Sequence, residues 1–261
     1  MKQAFFFDID GTLYTNKFHE LTPGILEEFS KLNEEGADLY LISSRSPFET
    51  AHLPTDFLKF PFRGLVFEGG ASFYGPGIQL IDAYLIKNDE LKQINDYCTK
   101  HDLLWRYSGP DGYFYSREAD PDIRRHQRGL YLIVPRVKKW QGDDVCMVIV
   151  WTKDEEDRKA LQQMLPDNNF VFYDTCVEIR PKGISKEDAI RGIRQSRGYS
   201  RVYCFGDGLN DVEMIKEADY GVVPANGCAA AREAADEIVE RVEDGGVTNW
   251  LKNRRRKGNR T

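Results

Sequence analysis

The chain has 261 residues, 41% hydrophobic and 30% charged, with a formal net charge of −6 at neutral pH. That length asks for one large or two moderate domains, and the acidic balance argues against a general nucleic-acid binder. No run approaches the eighteen or so apolar residues of a membrane helix, and the first residues lack the pattern of a secretory signal, so the expectation is a cytoplasmic protein with no membrane partner.

The stretch Ala4-Phe5-Phe6-Phe7 reads as a short buried strand, and Asp8-Ile9-Asp10-Gly11-Thr12 follows where that strand should end. Open α/β sheets bind ligands beyond the carboxyl ends of their strands. Carboxylates placed there cost desolvation energy unless they are paired or metal-bound. Taken alone, the same five residues also describe a plain turn.

Thr22 is expected to cap a helix that Pro23 opens and that Ile25, Leu26, Phe29 and Leu32 continue at helical spacing. Residues 37–42 make the next strand and end in Ser43-Ser44-Arg45. Strand, helix and strand with short connections form a βαβ unit, which brings Ser43 to the same sheet edge as Asp8. Leu65-Val66-Phe67 makes a third strand.

The organisation changes between about residues 81 and 180. A helix is expected over 88–100, strands over 104–107 and 113–116, then strands over 130–134 and 145–151. A charged helix over 154–165 and a hairpin of 170–173 with 176–179 complete the block. Arg124, Arg125 and Arg128 are expected on a loop.

Ser185 and Asp188 fit a capping box and place Lys186 in the first turn of a helix. Residues 201–205 make another strand, running into Gly206-Asp207-Gly208-Leu209-Asn210-Asp211, where Asp207 and Asp211 stand four apart at a helix start. Residues 221–223 are a further strand, before an Ala-rich helix. The basic run Arg254-Arg255-Arg256-Lys257 is expected to be a frayed, solvated tail. The five cysteines are scattered without a CxxC pair, so neither a disulfide framework nor a structural zinc site is expected.

Taken together, Asp8-Ile9-Asp10-Gly11-Thr12, Ser43-Ser44-Arg45, Gly183-Ile184-Ser185-Lys186 and Gly206-Asp207-Gly208-Leu209-Asn210-Asp211 resemble, in order, the four motifs of the haloacid dehalogenase (HAD) superfamily. Ser44 departs from the Thr-Gly-Arg of many members. The resemblance implies an α/β fold, a Rossmann-like parallel sheet core with an inserted smaller α/β cap domain. It assigns Asp8 as nucleophile, Asp10 as general acid/base, and Ser43 and Lys186 as ligands of the phosphoryl group, with Ser44, Arg45 and Asn210 near it. Asp8, Asp10 (through its main-chain carbonyl), Asp207 and Asp211 become the metal group, with Mg2+ as cofactor.

Too few residues separate Asp10 from Pro23 to hold a domain, whereas those between Ser43 and Lys186 are far too many for a loop. Residues 81–180 are therefore expected to form a cap of the second family type, as in the Cof-like sugar phosphatases, inserted into a core of residues 1–80 and 181–261. Specificity contacts are expected from residues 105–128. The partner is a small phosphorylated metabolite, with a sugar phosphate foremost. A phosphomutase and a non-catalytic binding protein on the same fold remain the alternatives.

Overall fold

A computed structural model describes residues 2–130 and 132–258, with side chains as far as 255. In chain order, β1 (Gln3–Phe7) leads to a small hairpin, β2 (Tyr14–Thr15) and β3 (Glu20–Leu21), then α1 (Ile25–Glu34) and β4 (Asp38–Ile42). The short α2 (Thr55–Leu58) precedes β5 (Gly64–Phe67), β6 (Ser72–Gly75) and β7 (Gln79–Ala83). The middle of the chain forms α3 (Asn88–Lys100), β8 (Trp105–Gly109), β9 (Gly112–Tyr115), α4 (Pro121–Gly129), β10 (Arg136–Val137), β11 (Met147–Trp151), α5 (Glu155–Met164), β12 (Asn169–Phe172) and β13 (Cys176–Arg180). The rest supplies α6 (Lys186–Arg197), β14 (Arg201–Phe205), α7 (Val212–Glu217), β15 (Tyr220–Pro224), α8 (Ala229–Ala234), β16 (Glu237–Val239) and α9 (Gly246–Gly258).

These strands form two main sheets. The larger has the order β16-β15-β14-β1-β4-β5-β6-β7, and the smaller has β10-β9-β8-β11-β13-β12. The larger sheet is parallel from β16 to β5 and antiparallel over β5, β6 and β7. β1 is all apolar over residues 4–7 because it is covered on both faces. Phe5 and Phe7 point to one layer and stack on Tyr203 and Phe205 at 4.5 and 4.6 Å between ring centres, while Phe6 points to the other and stacks on Tyr40 at 4.7 Å. Burying each such ring is worth roughly 1.5–3 kcal/mol, so the strand is fixed in register before any polar group is placed.

The smaller sheet shows the period of two that a one-sided sheet requires. Trp105, Tyr107, Val148, Val150, Val177 and Ile179 pack with Leu91, Ile94 and Cys98 of α3 and with Leu161 of α5. The opposite face carries Arg106, Ile149 and Glu178 in one row, with Ile149 opposite both of the others.

Four local expectations change. The first helix starts at Ile25 with Gly24 in the capping position, because the Thr22 amide donates to the Leu13 carbonyl at 2.7 Å and is held in the preceding hairpin; among the described residues the Thr22 hydroxyl has no hydrogen-bond partner. The expected strand over 130–134 includes residue 131, outside the described residues, and 132–134 belong to no strand. The helix α4 replaces the loop expected for Arg124, Arg125 and Arg128, with Pro121 supplying its first turn.

The basic run belongs to α9 rather than to a frayed tail. Val247, Trp250 and Leu251, at helical spacing, bury one side of α9 against the large sheet. The Arg254 guanidinium lies 5.0 Å from the centres of both the Phe5 and Tyr203 rings, and Arg255 pairs with the buried Glu28. Among the described residues, no helix is long and apolar enough to cross a membrane.

Candidate active site

Parallel register brings the site together. Phe7 of β1 lies opposite Phe205 of β14 and Leu41 of β4, so the three chains leave the sheet side by side. The next residues out are Asp8, Gly206-Asp207 and Ser43. The Asp8 amide donates to the Phe205 carbonyl at 2.9 Å, extending the ladder by one step. Gly11, at φ 74°, then carries the chain past Asp207 so closely that a Cβ there would sit 2.1 Å from Asp207 Oδ2. Only glycine fits that passage.

Lys186 sits at the first position of α6, below the Ser185 cap, whose hydroxyl accepts from the Asp188 amide at 3.0 Å. Its ammonium is buried and donates to Asp8 Oδ1 at 2.6 Å and to Asp211 Oδ1 at 2.7 Å. Burial pulls the ammonium down, but Asp211 and Asp8 outweigh it and hold Lys186 above the ordinary lysine range. The other Asp211 oxygen accepts from the amides of Asp207 and Gly208 at 2.9 and 2.8 Å. Asp211 thus ties the lysine to the turn after β14. A Cβ on Gly206 would come within 2.6 Å of it.

Oxygens of Asp8, Asp207 and Asp211 lie within 4.8 Å of one another. Burial pushes the Asp8 carboxyl well up, against the pull of Lys186, and Asp211, Asp207 and Asp10 add to the rise. Burial and then Asp211 push Asp207 up to about 7. Two neighbouring carboxylates driven toward protonation mark more negative charge than one lysine neutralises. The donors are oxygens alone, which suits a hard divalent cation.

Asp10 is arranged differently. Burial would raise it, but Arg45 donates from Nε to Oδ2 at 2.6 Å and from Nη2 to Oδ1, and Asn16 donates to Oδ1 at 3.0 Å, so Asp10 is held below the usual carboxylate range. This fork of two parallel bonds fixes the plane of the carboxylate. Arg45 is itself aligned by its amide bond to Ser43 Oγ at 3.2 Å and by Nη1 donating to the Glu49 carbonyl at 2.8 Å. Asn210 donates to Ser44 Oγ at 2.7 Å.

Asp8, Asp10, Ser43, Ser44, Arg45, Asp207, Asn210 and Asp211 all border one cavity of about 430 Å³, with Lys186 buried beneath it. The roof comes from the smaller sheet and its surroundings: Arg106, Gln127, Ile149, Trp151, Tyr173 and Glu178. Of the stretch 105–128, Arg106, His126 and Gln127 border the cavity and the three arginines of α4 do not; Arg124 and Arg125 pair on the surface with Glu118 and Asp122. A larger hollow of about 550 Å³ beside α6 and β5 to β7 contains none of the clustered carboxylates.

Sequence reading missed several supporting residues. Thr12 donates to Asp207 Oδ1 at 3.2 Å, and Asn226 donates to the Gly11 carbonyl at 2.7 Å, closing the turn against β15. Thr12 belongs to the first motif and Asn226 to an Asn-Gly turn, so both carried a local signal. Asn16 and Glu49 carried none, because their partners are set by tertiary structure.

The model of the haloacid dehalogenase-like hydrolases matches residues 5–251. The Bacillus subtilis protein YkrA is 23% identical, with 95% of each chain covered. A second protein of that organism, YitU, named a 5-amino-6-(5-phospho-D-ribitylamino)uracil phosphatase, is 25% identical with 94% of each covered. Among solved structures, a sugar phosphatase of HAD subclass IIB superposes with a TM-score of 0.86 at 20% identity, covering 97% of this chain and 98% of that one; at such identity the likeness speaks for the fold. Since the family match spans both sheets and every turn that carries the clustered carboxylates, the chain belongs to the haloacid dehalogenase-like hydrolases.

Proposed function

We propose that this hydrolase is a magnesium-dependent phosphatase of small phosphate monoesters, sugar and sugar-alcohol phosphates foremost, that works through a phosphoryl group carried on Asp8. The observation that supports it most is the Lys186 ammonium between Asp8 and Asp211, beside Asp207, at the ends of adjacent parallel strands. In this reading Asp8, Asp207 and the Asp10 main-chain carbonyl would hold magnesium, with Asp211 behind them, and the bound ion would supply neutralisation of charge on the phosphoryl oxygens.

Phosphoryl transfer is mostly positioning and charge neutralisation. An Asp8 oxygen attacks phosphorus in line as the bond to the leaving alkoxide breaks, and Asp10 gives that alkoxide its proton. Asp10 then takes a proton from water, whose oxygen bonds to phosphorus as the Asp8 acyl-phosphate bond breaks, releasing inorganic phosphate. Lys186 and the Ser43 hydroxyl hold the equatorial oxygens. With both its oxygens accepting from Arg45, Asp10 stands here in the ionised form that serves as base in the second step. The acid role in the first step belongs to the form that carries the proton and has released one of the two Arg45 bonds.

Residues 81–180 are read as the cap between core segments 1–80 and 181–261, with the crossover itself after Ala83, where β7 ends. Each arginine bordering the cavity is already ion-paired, Arg45 with Asp10 and Arg106 with Glu49. That arrangement favours an uncharged leaving group over a second anion, and the Trp151 ring offers a sugar an apolar wall. YitU is named for a ribityl phosphate, a sugar-alcohol ester of this kind.

The test is inorganic phosphate release from a panel of phosphorylated metabolites with magnesium and no bisphosphate activator. Steady turnover by the native protein, abolished in Asp8→Asn, is the expected result. Turnover that survives Asp8→Asn would sink the reading.

A further inference from the structure

One ion pair spans the two sheets. Arg106, on the cavity face of β8, reaches across to Glu49 in the turn Pro47–Thr50 that follows Ser43-Ser44-Arg45. The two residues are 4% and 3% exposed. Glu49 is held from three directions: Oε1 by Arg106 Nη1, Oε2 by the Ser46 amide at 2.9 Å, and its carbonyl by Arg45 Nη1 at 2.8 Å. The remaining donors of Arg45 grip Asp10. On the other side, the Arg106 guanidinium lies 5.9 Å from the centre of the Tyr113 ring of β9, and that ring stacks on Phe48 at 6.3 Å. The β8–β9 hairpin therefore meets the Ser46–Thr50 turn through one charged and one aromatic contact.

An unbroken series of bonds thus runs from the smaller sheet to Asp10: Arg106, Glu49, Arg45, Asp10. A buried ion pair is a poor way to gain stability, since apolar residues of similar size generally do as well or better. What it supplies is a fixed geometry, and here that geometry ends at a group in the cavity. Removing Arg106 leaves Glu49 buried without its cation, and the nearest alternative is the Arg45 guanidinium, already in demand at Asp10.

We propose that Arg106 and Glu49 are positioning residues, a latch that couples the seating of the smaller sheet over the cavity to the alignment of Arg45 against Asp10. This rests on the phosphatase reading above. A sheet seated without the latch still shields the cavity, but Asp10 is no longer held in the plane its proton transfers require. The loss therefore falls on kcat more than on KM.

The experiment compares Arg106→Met, Glu49→Met and the double variant with the native protein, following Tm and the kcat and KM for a hexose 6-phosphate and for p-nitrophenyl phosphate. Each single variant is expected to lower both Tm and kcat, kcat by about 10- to 100-fold, the scale of one lost positioning contact. The double variant, with no stranded charge, is expected to regain Tm while kcat stays depressed with both substrates. Arg106→Lys keeps the charge and loses the planar fork; it is expected to stay folded and to lose kcat about 10-fold. Recovery of kcat together with Tm in the double variant would overturn the latch, as would native kcat in Arg106→Lys. Failure of the native protein to release phosphate from either substrate would instead remove the phosphatase reading, and the latch with it.

Discussion

The two walls of the cavity are built on opposite principles. On the large sheet, the charged side chains of the site stand at strand ends or helix starts and several are paired with one another: Lys186 to Asp8 and Asp211, Arg45 to Asp10. On the smaller sheet, the same cavity is faced by Ile149, Trp151, Tyr173 and Gln127, and its charged members Arg106 and Glu178 are spent on Glu49 and Arg180. One wall is a set of paired charges, and the other is a mostly neutral surface that is tied to the charges opposite through Arg106 and Glu49. On the phosphatase reading proposed above, the chemistry sits on the first wall and the choice of leaving group on the second.

The contrast is broken most directly at Lys186. Lys186→Met leaves two buried carboxylates facing each other, and is expected to lower kcat by about 10²–10³-fold, comparable to losing one preorganised donor. It should also destabilise the fold by roughly 3–5 kcal/mol, as for one partner of a buried pair; urea unfolding in the absence of divalent ions measures this, and an unchanged midpoint would refute it. The same wall should respond to its cation. At 100 times its dissociation constant, magnesium is expected to stabilise the native protein by about 2.7 kcal/mol, seen as a rise in Tm that EDTA reverses and that Asp207→Asn removes.

The opposite wall should answer differently. Trp151→Ala is expected to raise KM for a sugar phosphate about 10-fold while leaving kcat for p-nitrophenyl phosphate within about twofold, since a lost apolar contact is worth roughly 1–3 kcal/mol and is made equally in ground and transition states. An equal loss of kcat with both substrates would mean that the walls are not separable.

The smallest effect sharpens the boundary between the two sheets. Glu68, fully buried after β5, has no hydrogen bond of good geometry to either oxygen among the described residues, and Ser72, Ser108 and Cys146 lie beside it. Burial raises its pKa above the ordinary 4.5. A carboxyl raised on folding contributes fully below its unfolded value and loses that contribution as pH rises through its folded one. Glu68→Gln is therefore expected to raise Tm at pH 8 by about 2–4 °C, for a gain of roughly 1 kcal/mol, and to change nothing near pH 4. A uniform shift across that range would show that Glu68 does not titrate on folding.

How much of this could be read from the chain differs between the same two regions. Asp8, Ser43, Lys186, Asp207 and Asp211 were legible because their places are dictated locally, by a strand end, a capping Ser185 or a glycine turn, and the βαβ rule then brings those places to one edge. The helix over 88–100 was legible for a similar reason: Leu91, Ile94 and Cys98 repeat at helical spacing and are buried. Arg106 with Glu49 and Asn16 with Asp10 were not, because an ion pair or hydrogen bond between distant elements leaves no periodicity. The apolar residues 130–134 suggested a strand, yet among the described residues 132–134 lie in none, and pairing is present at Arg136, beside Phe114. In α9 the signal is present in the chain: Val247, Trp250 and Leu251 stand at the spacing of a docked helix, although the arginines that follow give the segment the composition of a solvated tail.

The strand order also sets a timetable. Gln3 pairs with Arg201, a separation of 201 − 3 = 198 positions, whereas the pairing of β1 with β4 on the other side, which starts at Ala4 and Asp38, is complete within the first βαβ unit. On a ribosome that delivers roughly 5–20 residues per second, Asp8 waits many seconds for β14 and the Asp207 turn to arrive. Until then Asp8 lacks Asp207 and Asp211 beside it, so an unfinished chain carries the first carboxylate without the cluster that the completed sheet builds around it.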